Sequence, residues 1–326
     1  MKIDFIDIYN KRPIETIAIV IFVLIFIVWL FYKAACPIPN DFPTDSLFVV
    51  EKGETLQGVA KNLESKHYVC SSFWFSNLVI FFSTDRGVKA GDYYFGDKEG
   101  VFSVAYRLTN SDFKIPTRMI TVPEGFNNRE IADLLKTKLP KFDFRMFLVK
   151  TEKLEGYLFP DTYSFPENAV ENDVISIMNS TFGEKIKILN NDISKFGRSL
   201  RDVVIMSSLV EEEVRTYKTR QIVAGILWKR LSLGMPLQVD AVFHYIKGKD
   251  VKVVSLDDLK IDSPYNTYLH KGLPPGAIGN PGLDAIRATV NPVKTSYLYY
   301  LTDKDGNMHY ARTYAEHLAN KENYLK

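Results

Sequence analysis

Residues 200–214, with the sequence LRDVVIMSSLVEEEV, indicate where the interior of this chain lies. Apolar and small residues fill positions 203–210 and point in nearly every direction around a helix. A helix on a protein surface keeps one polar face, whereas a helix that is apolar all round belongs in an interior. The segment therefore predicts a buried helix that runs directly into Glu211, Glu212 and Glu213.

The three glutamates allow two interpretations. A carboxyl group at the edge of an apolar helix has its ionised form disfavoured, which raises its pKa and suits a general acid. Runs of charge more often face water, and Glu211 has the i,i+4 spacing to Arg215 that favours a surface pair. Helical periodicity does not choose between these interpretations or among the three glutamates.

Composition excludes several other classes of protein. The chain has 326 residues, 41 basic and 39 acidic, so it lacks the concentrated positive charge of a nucleic-acid-binding protein. Its five histidines show no metal-binding spacing, and no glycine-rich phosphate loop or nucleophile elbow occurs. We therefore expect no metal and no cofactor. Cys36 and Cys70 are too few for a disulfide scaffold, and either a single bridge or two thiols fits the sequence.

The N-terminus is strongly apolar. Residues 14–32, IETIAIVIFVLIFIVWLFY, are long enough as a helix to cross the ~30 Å hydrocarbon core of a bilayer. Lys2, Lys11 and Arg12 precede this segment and Lys33 follows it, which favours a cytoplasmic N-terminus. We predict a cytoplasmic tail over 1–13, a single transmembrane helix over 14–32, a linker over 33–46 and a body outside the cytoplasmic membrane.

A repeat follows the linker. Residues 50–63 and 122–135 share the spacing V-xx-G-xxxxx-[VI]-A-xx-L, and each copy begins with a short apolar stretch. The pattern predicts a strand, a glycine turn and an amphipathic helix. It resembles a LysM-like module, which we place at 47–140, although for either copy alone a plain strand–helix packing unit is the simpler interpretation.

The remainder predicts a mixed α/β domain over 141–326, so the fold class is α+β. Residues 154–166 indicate an irregular loop, and helices are expected at 170–196, at 200–214 and from about 219 to 233. A hairpin with its turn at Asp305-Gly306 and a final helix from about 313 complete the chain.

Five ordered motifs resemble those of the YceG-like family of endolytic murein transglycosylases. They are LEGYLFPDTY at 154–163, SLVEEE at 208–213, GMPLQVD at 234–240, SPYNTY at 263–268 and GLPPGAIGNPG at 272–282. Val214 and Val239 stand where such proteins often carry Ser or Thr. The resemblance implies a membrane-bound, LysM-containing lyase that cuts peptidoglycan strands beside peptidoglycan synthases and needs no cofactor.

The resemblance also implies one catalytic glutamate, Glu211. This residue would protonate the oxygen between N-acetylmuramic acid and N-acetylglucosamine, then act as base while a 1,6-anhydro ring closes. Ordinary glycosidases use two carboxyl groups for comparable chemistry. The alternative is a membrane-tethered peptidoglycan-binding protein without catalysis, in which Glu211 is structural.

Polar and aromatic residues in the same motifs are candidates for binding sugar hydroxyls and ring faces. The set comprises Glu155, Asp161, Gln238, Asp240, Ser263, Tyr265, Asn266, Thr267 and Tyr268. For residues 263–282, a proline-capped turn that packs on the core is an equally good interpretation.

Overall fold

The computed structural model describes residues 13–83, 87–248 and 254–325 and divides into two compact units, Met1–Pro116 and Thr117–Lys326. This division differs from the expected boundary at residue 140, and it places the two repeat copies in different units. The reason is strand pairing: the strand of the second copy pairs with a strand at Thr162–Pro166, far beyond the expected boundary.

The first helix, α1 (Pro13–Ala35), covers the predicted transmembrane segment, and the large apolar side chains described along it are exposed. Crossing a bilayer needs ~20 consecutive apolar residues. Among the residues that the structure describes, no helix supplies the necessary length and apolar character, so the predicted span at 14–32 is not confirmed. Lys2, Lys11 and Arg12, which set the predicted orientation, lie outside the described residues.

The rest of the first unit is built on one antiparallel strand pair. Its elements run in the order β1 (Ser46–Val50), α2 (Leu56–Ser65), α3 (Ser72–Phe82), β2 (Gly91–Phe95) and α4 (Val101–Asn110), with β1 paired to β2. Gly53 has a φ of +89°, the left-handed conformation that a glycine turn supplies without strain. This confirms the strand–turn–helix prediction for the first repeat copy. The likeness to a LysM module stays a prediction.

A disulfide joins Cys36, directly after α1, to Cys70, directly before α3, with Cα atoms 5.4 Å apart. The sequence left this pairing open. The bridge closes a 34-residue separation, and both cysteines pack at the hydrophobic core of this unit.

The second unit begins with the second repeat copy. Its elements are β3 (Thr117–Thr121), α5 (Asn128–Lys136), α6 (Phe144–Thr151) and β4 (Thr162–Pro166), with β3 antiparallel to β4. Asn127 and Glu130 form a capping box at the start of α5, so the backbone N–H groups there are satisfied. β4 corrects the expectation that 154–166 is irregular throughout, because its Tyr163 and Phe165 alternate into the core.

Four helices form the centre of the second unit: α7 (Glu171–Phe196), α8 (Leu200–Glu213), α9 (Tyr217–Ser232) and, after the short α10 (Val242–Lys247), α11 (Leu283–Val290). α8 packs against α9 and α11. All eight residues from Val203 to Val210 are buried, as predicted. Hence α8 delivers its terminal glutamates to the edge of a tightly packed core.

The chain ends in a hairpin, β5 (Tyr299–Thr302) and β6 (Met308–Ala311), followed by α12 (Tyr314–Tyr324). Hairpin and final helix were both predicted. A single 3₁₀ turn, Asp258–Lys260, lies in the loop region between α10 and α11.

Candidate active site

Glu211 sits on the last turn of α8, and its side chain is 5% exposed. The guanidinium of Arg220, from α9, forms an ion pair with Oε1. The backbone N–H of Gly282 donates to Oε2 at 3.0 Å. Burial raises the pKa of Glu211 to about 7, although Arg220 and the Gly282 N–H both work to lower it. A group that titrates near neutral pH serves well as acid and as base.

The other two glutamates differ from Glu211 and from each other. Glu212 is exposed. Glu213 accepts a hydrogen bond from the Tyr300 hydroxyl at 3.0 Å, and burial raises its pKa to about 7. The interpretation of a fully solvated helix end is therefore wrong for Glu211 and Glu213. The ion-pair partner of Glu211 is Arg220 rather than the expected Arg215.

Two loop segments hold the surroundings of Glu211 together. The Gly125 N–H donates to the Asn280 carbonyl at 2.9 Å, and the Asn280 N–H donates to the Phe126 carbonyl at 2.9 Å. A Cβ on Gly279 would lie 2.2 Å from the Gly125 carbonyl oxygen, so only glycine allows this approach. The pairing places Gly282 where its N–H reaches Glu211.

The buried hydroxyl of Ser208 fixes the same loop from the other side. Its Oγ donates to the Ile205 carbonyl, within α8, and accepts the Ile278 N–H at 3.1 Å. Because both groups are buried, each needs this partner. α8 thus carries the glutamate and also holds the loop that contacts it.

Glu155 forms a second carboxyl site at the far end of the paired loops. It accepts the Asn128 N–H at 3.0 Å and contacts the Asn280 amide at 3.4 Å and the Tyr245 hydroxyl. Burial raises the pKa of Glu155 to about 8, with the Asn128 N–H opposing that shift. At neutral pH this group is therefore largely a neutral acid.

Glu155 lines two cavities, of about 430 and 1130 Å³. The smaller is shared with Tyr157, Arg201 and Tyr265, and the larger with residues of α5 and α10. Glu211 lines neither of them. Both cavities have the mixed apolar and polar lining of small-ligand sites, which makes them candidates for substrate contact.

Gln238, Asp240 and Tyr268 lie together, but around Glu213 rather than Glu211. The Tyr268 hydroxyl contacts Asp240, and the backbone N–H groups of Asp240 and Ala241 donate to Glu213. Gln238 Oε1 lies 3.4 Å from a nitrogen of the buried Arg230.

The motif 263–268 has a largely internal role. Asn266 is fully buried and donates to the carbonyls of Leu259 and Ile261, while Thr267 Oγ1 accepts the Val239 N–H at 2.9 Å. The Ser263 carbonyl accepts the Asn266 N–H. Tyr265 differs, since its ring lies 4.9 Å from that of Tyr245 at a tilt of 43° and lines the smaller cavity.

Asp161 pairs with Lys185 of α7 at 3.0 Å. Burial alone would raise its pKa, but the Thr162 N–H and Lys185 outweigh that effect and lower it. Asp161 therefore remains ionised at neutral pH. None of the contacts described for it joins it to Glu211 or Glu155.

Sequence reasoning missed several residues of the site: Arg220, Glu124, Asn128, Asn280, Tyr245 and Tyr300. Arg220 follows Glu211 by nine positions, a spacing with no helical meaning across the break between α8 and α9. Asn280 did lie inside a motif singled out for its prolines and glycines, but only the structure shows that its side chain is completely buried.

The site thus consists of a glutamate at the end of a buried helix, held by an arginine and a loop amide. The model of the YceG-like family matches residues 48–323, and the chain belongs to that family.

Known proteins of the family are similar over most of the chain. The endolytic murein transglycosylase of Bacillus subtilis is 30% identical over 317 residues, which cover 89% of this chain and 87% of that protein. The endolytic murein transglycosylase of Streptococcus pneumoniae is 35% identical over 184 residues, 52% of this chain but only 33% of its own length. A crystal structure of a putative YceG-like protein from Listeria monocytogenes superposes with a TM-score of 0.58 and 27% identity, covering 84% of this chain and 98% of that one.

Proposed function

We propose that this chain is an endolytic murein transglycosylase that cuts peptidoglycan glycan strands internally and leaves 1,6-anhydro-muramic acid ends. The observation that carries the proposal is the Glu211 carboxyl. It is buried at the end of α8, its pKa is raised to about 7, and it lies within residues 48–323, which match the YceG-like family. The enzyme is then a lyase, because no water enters the product.

Glu211 acts twice in the proposed reaction. Its proton passes to the glycosidic oxygen as the bond from muramic acid C1 to that oxygen breaks. The muramic acid 6-hydroxyl then gives its proton to the Glu211 carboxylate while O6 bonds to C1. Glu211 ends as it began, and the pKa of about 7 leaves both protonation states accessible.

The remaining site residues have supporting roles in this proposal. The Gly282 N–H holds the carboxylate in place. Glu155, Tyr157 and Tyr265 line a cavity that suits a sugar ring, with Glu155 offering a neutral O–H donor at pH 7. Gln238, Asp240 and Tyr268 contribute through Glu213, while Ser263, Asn266 and Thr267 shape the loop.

The test is mass spectrometry of the products from uncrosslinked glycan strands. Wild-type protein is expected to yield shortened strands with anhydro ends, and Glu211→Gln, which cannot exchange a proton, is expected to lose at least ~100-fold in rate. Glu184→Gln is the matched control, because Glu184 is an exposed glutamate on α7.

Two other outcomes would contradict the proposal. Reducing ends would mean hydrolysis, and the second carboxyl would then be sought first at Glu155, Asp161 and Asp240. Strands that bind without being cut would favour the peptidoglycan-binding alternative.

We further propose that the body works outside the cytoplasmic membrane, tethered by its N-terminal segment, where peptidoglycan synthases supply nascent strands. The Cys36–Cys70 disulfide supports an oxidising compartment. The apolar composition of residues 14–32 supports the tether. In cells, external protease is expected to digest the body, and detergent is expected to be needed to extract the chain. Protection from protease, or recovery in the soluble fraction, would contradict this location.

A further inference from the structure

Arg220 is placed between two carboxylates. Its Nη2 forms the ion pair with Glu211 Oε1 and lies 3.9 Å from Glu124 Oε2. Its Nε donates to the Val214 carbonyl at 3.1 Å, which fixes the base of the guanidinium at the turn between α8 and α9. The Arg220 side chain is 9% exposed, whereas that of Glu124 is 51% exposed.

The two carboxylates also meet at one backbone position. The Gly282 N–H contacts Glu211, and a Cβ on Gly282 would lie 1.9 Å from Glu124 Oε1. Glu124 therefore rests against the amide that holds Glu211, within a short rotation of the Arg220 guanidinium. The charges acting on Glu211 are Arg220 from α9, Glu124 from the loop after β3, and Glu212 on its own helix.

The observed contact between Arg220 and Glu211 favours one of the two proposed steps over the other. A guanidinium against a carboxylate favours the ionised form, which is the base that the second step needs. The first step needs the protonated acid. A carboxyl group that acts first as acid and then as base works best if its positive partner is absent during the acid step and present during the base step.

We propose that Arg220 is a positioning residue that passes between Glu211 and Glu124, favouring the ionised form of Glu211 while they touch and the protonated form when the guanidinium turns to Glu124. This inference rests on the proposed function. Strand binding next to the exposed Glu124 is the event that draws Arg220 away. Arg220 itself exchanges no proton and touches no reacting atom.

The test is the pH profile of kcat for strand cleavage, whose alkaline limb reports loss of the acid's proton in the enzyme–strand complex. Glu124→Gln removes the alternative partner and leaves Arg220 on Glu211, so the limb should move down by roughly one pH unit. Arg220→Gln removes the counter-charge, so the limb should move up by roughly one to three units. Opposite displacements are not produced by loss of structure alone.

A double variant distinguishes movement of Arg220 from direct charge repulsion between Glu124 and Glu211 as the cause of the shifted limb. If Glu124 acts through Arg220, Glu124→Gln should shift the limb by less than about 0.3 unit in the Arg220→Gln background. Equal shifts in both backgrounds would overturn the proposal. Glu184→Gln should leave the profile unchanged. Should Arg220→Gln fail to fold, Arg220→Lys takes its place. Because Nη2 makes both contacts, a shorter cation weakens both and should move the limb up, and a wild-type profile would overturn the proposal.

The two proposals fail differently. Wild-type protein that forms no anhydro ends would remove the proposed function, and this inference with it. If every variant formed anhydro ends and all the pH profiles coincided, only the proposed role of Arg220 would be refuted, and the proposed function would stand.

Discussion

Glu155 carries a buried carboxyl whose pKa is raised to about 8 from its ordinary value of 4.5. Between those two pH values the folded protein retains a proton that the unfolded chain releases. A carboxyl group whose pKa is raised by folding stabilises the fold at low pH. It loses that contribution as the pH rises from its ordinary pKa to its raised one. At neutral pH most of the Glu155 population is still neutral, which explains how it tolerates its surroundings.

We therefore predict that Glu155→Gln matches wild type in stability near pH 5 and is more stable near pH 9. The difference should grow by up to ~1.4 kcal/mol per pH unit between the ordinary and the raised pKa, because the amide never ionises. Denaturant melts of both proteins at several pH values measure it. A difference that stays flat with pH would show that Glu155 titrates normally.

At the residue scale, the sequence identified the catalytic candidate but not the groups that control it. Glu211 was singled out by a motif, since periodicity did not distinguish it from Glu212 and Glu213. Its partners Arg220 and Gly282 follow it by 9 and 71 positions. A local sequence pattern cannot predict these contacts, because they depend on how the tertiary fold brings a turn and a distant loop next to the end of α8.

The paired loops show what a single element contributes. Gly279 has the Gly125 carbonyl oxygen where a Cβ would stand, at 2.2 Å, and backbone cannot move aside as a side-chain tip does. By contrast, a Cβ on Gly183, within α7, would meet nothing within 4 Å.

We predict opposite effects for these two glycines. Gly279→Ala should separate the paired loops, lower stability by ~1–3 kcal/mol and reduce cleavage, because Gly282 no longer reaches Glu211. Gly183→Ala should raise stability by ~0.5–1 kcal/mol, as alanine favours a helix interior, with cleavage unchanged. Thermal melts and product assays on both variants measure this. If both variants had the same stability and cleavage rate, the close contact between Gly279 and the Gly125 carbonyl would not restrict which residue can stand at position 279.

Most elements were predictable because their signals are local. The helices α7, α8 and α9 and the C-terminal hairpin follow from apolar spacing, caps and turn residues. β4 was missed because Pro160, Pro166 and Gly156 made its surroundings look irregular, and because a strand paired to β3 is defined by a partner some forty residues away. Residues 101–108, whose apolar pattern fits either a strand or a helix, form most of α4.

For the whole molecule, the disulfide is the covalent restraint on the first unit. Closing a loop of this length removes entropy from the unfolded chain worth ~3–4 kcal/mol. We predict that Cys36→Ala with Cys70→Ala lowers stability by up to this amount. Hydrogen exchange of α2 and α4 amides measures the loss, and reduction of the wild type should reproduce it. Unchanged exchange in both cases would mean that the bridge does not restrain this unit.

The unit boundary could not be read from the repeat. Copies that look alike in sequence form similar strand–turn–helix pieces, but the partner strand of each piece, β2 or β4, decides which core it joins. The sequences of β2 and β4 do not contain the repeat pattern, so the repeat does not predict these pairings.

The site draws its groups from Glu124 near one end of the second unit, Glu211 and Arg220 in its middle, and Gly282 close to the last helices. Chains are synthesised and exported from the N-terminus, and such long-range contacts form only once all participants are present. A nascent chain that has emerged as far as α9 still lacks the amide for Glu211 and the asparagine that joins the loops. An enzyme of the proposed activity would therefore be harmless to the wall throughout its own export, and would become able to cut only when nearly complete.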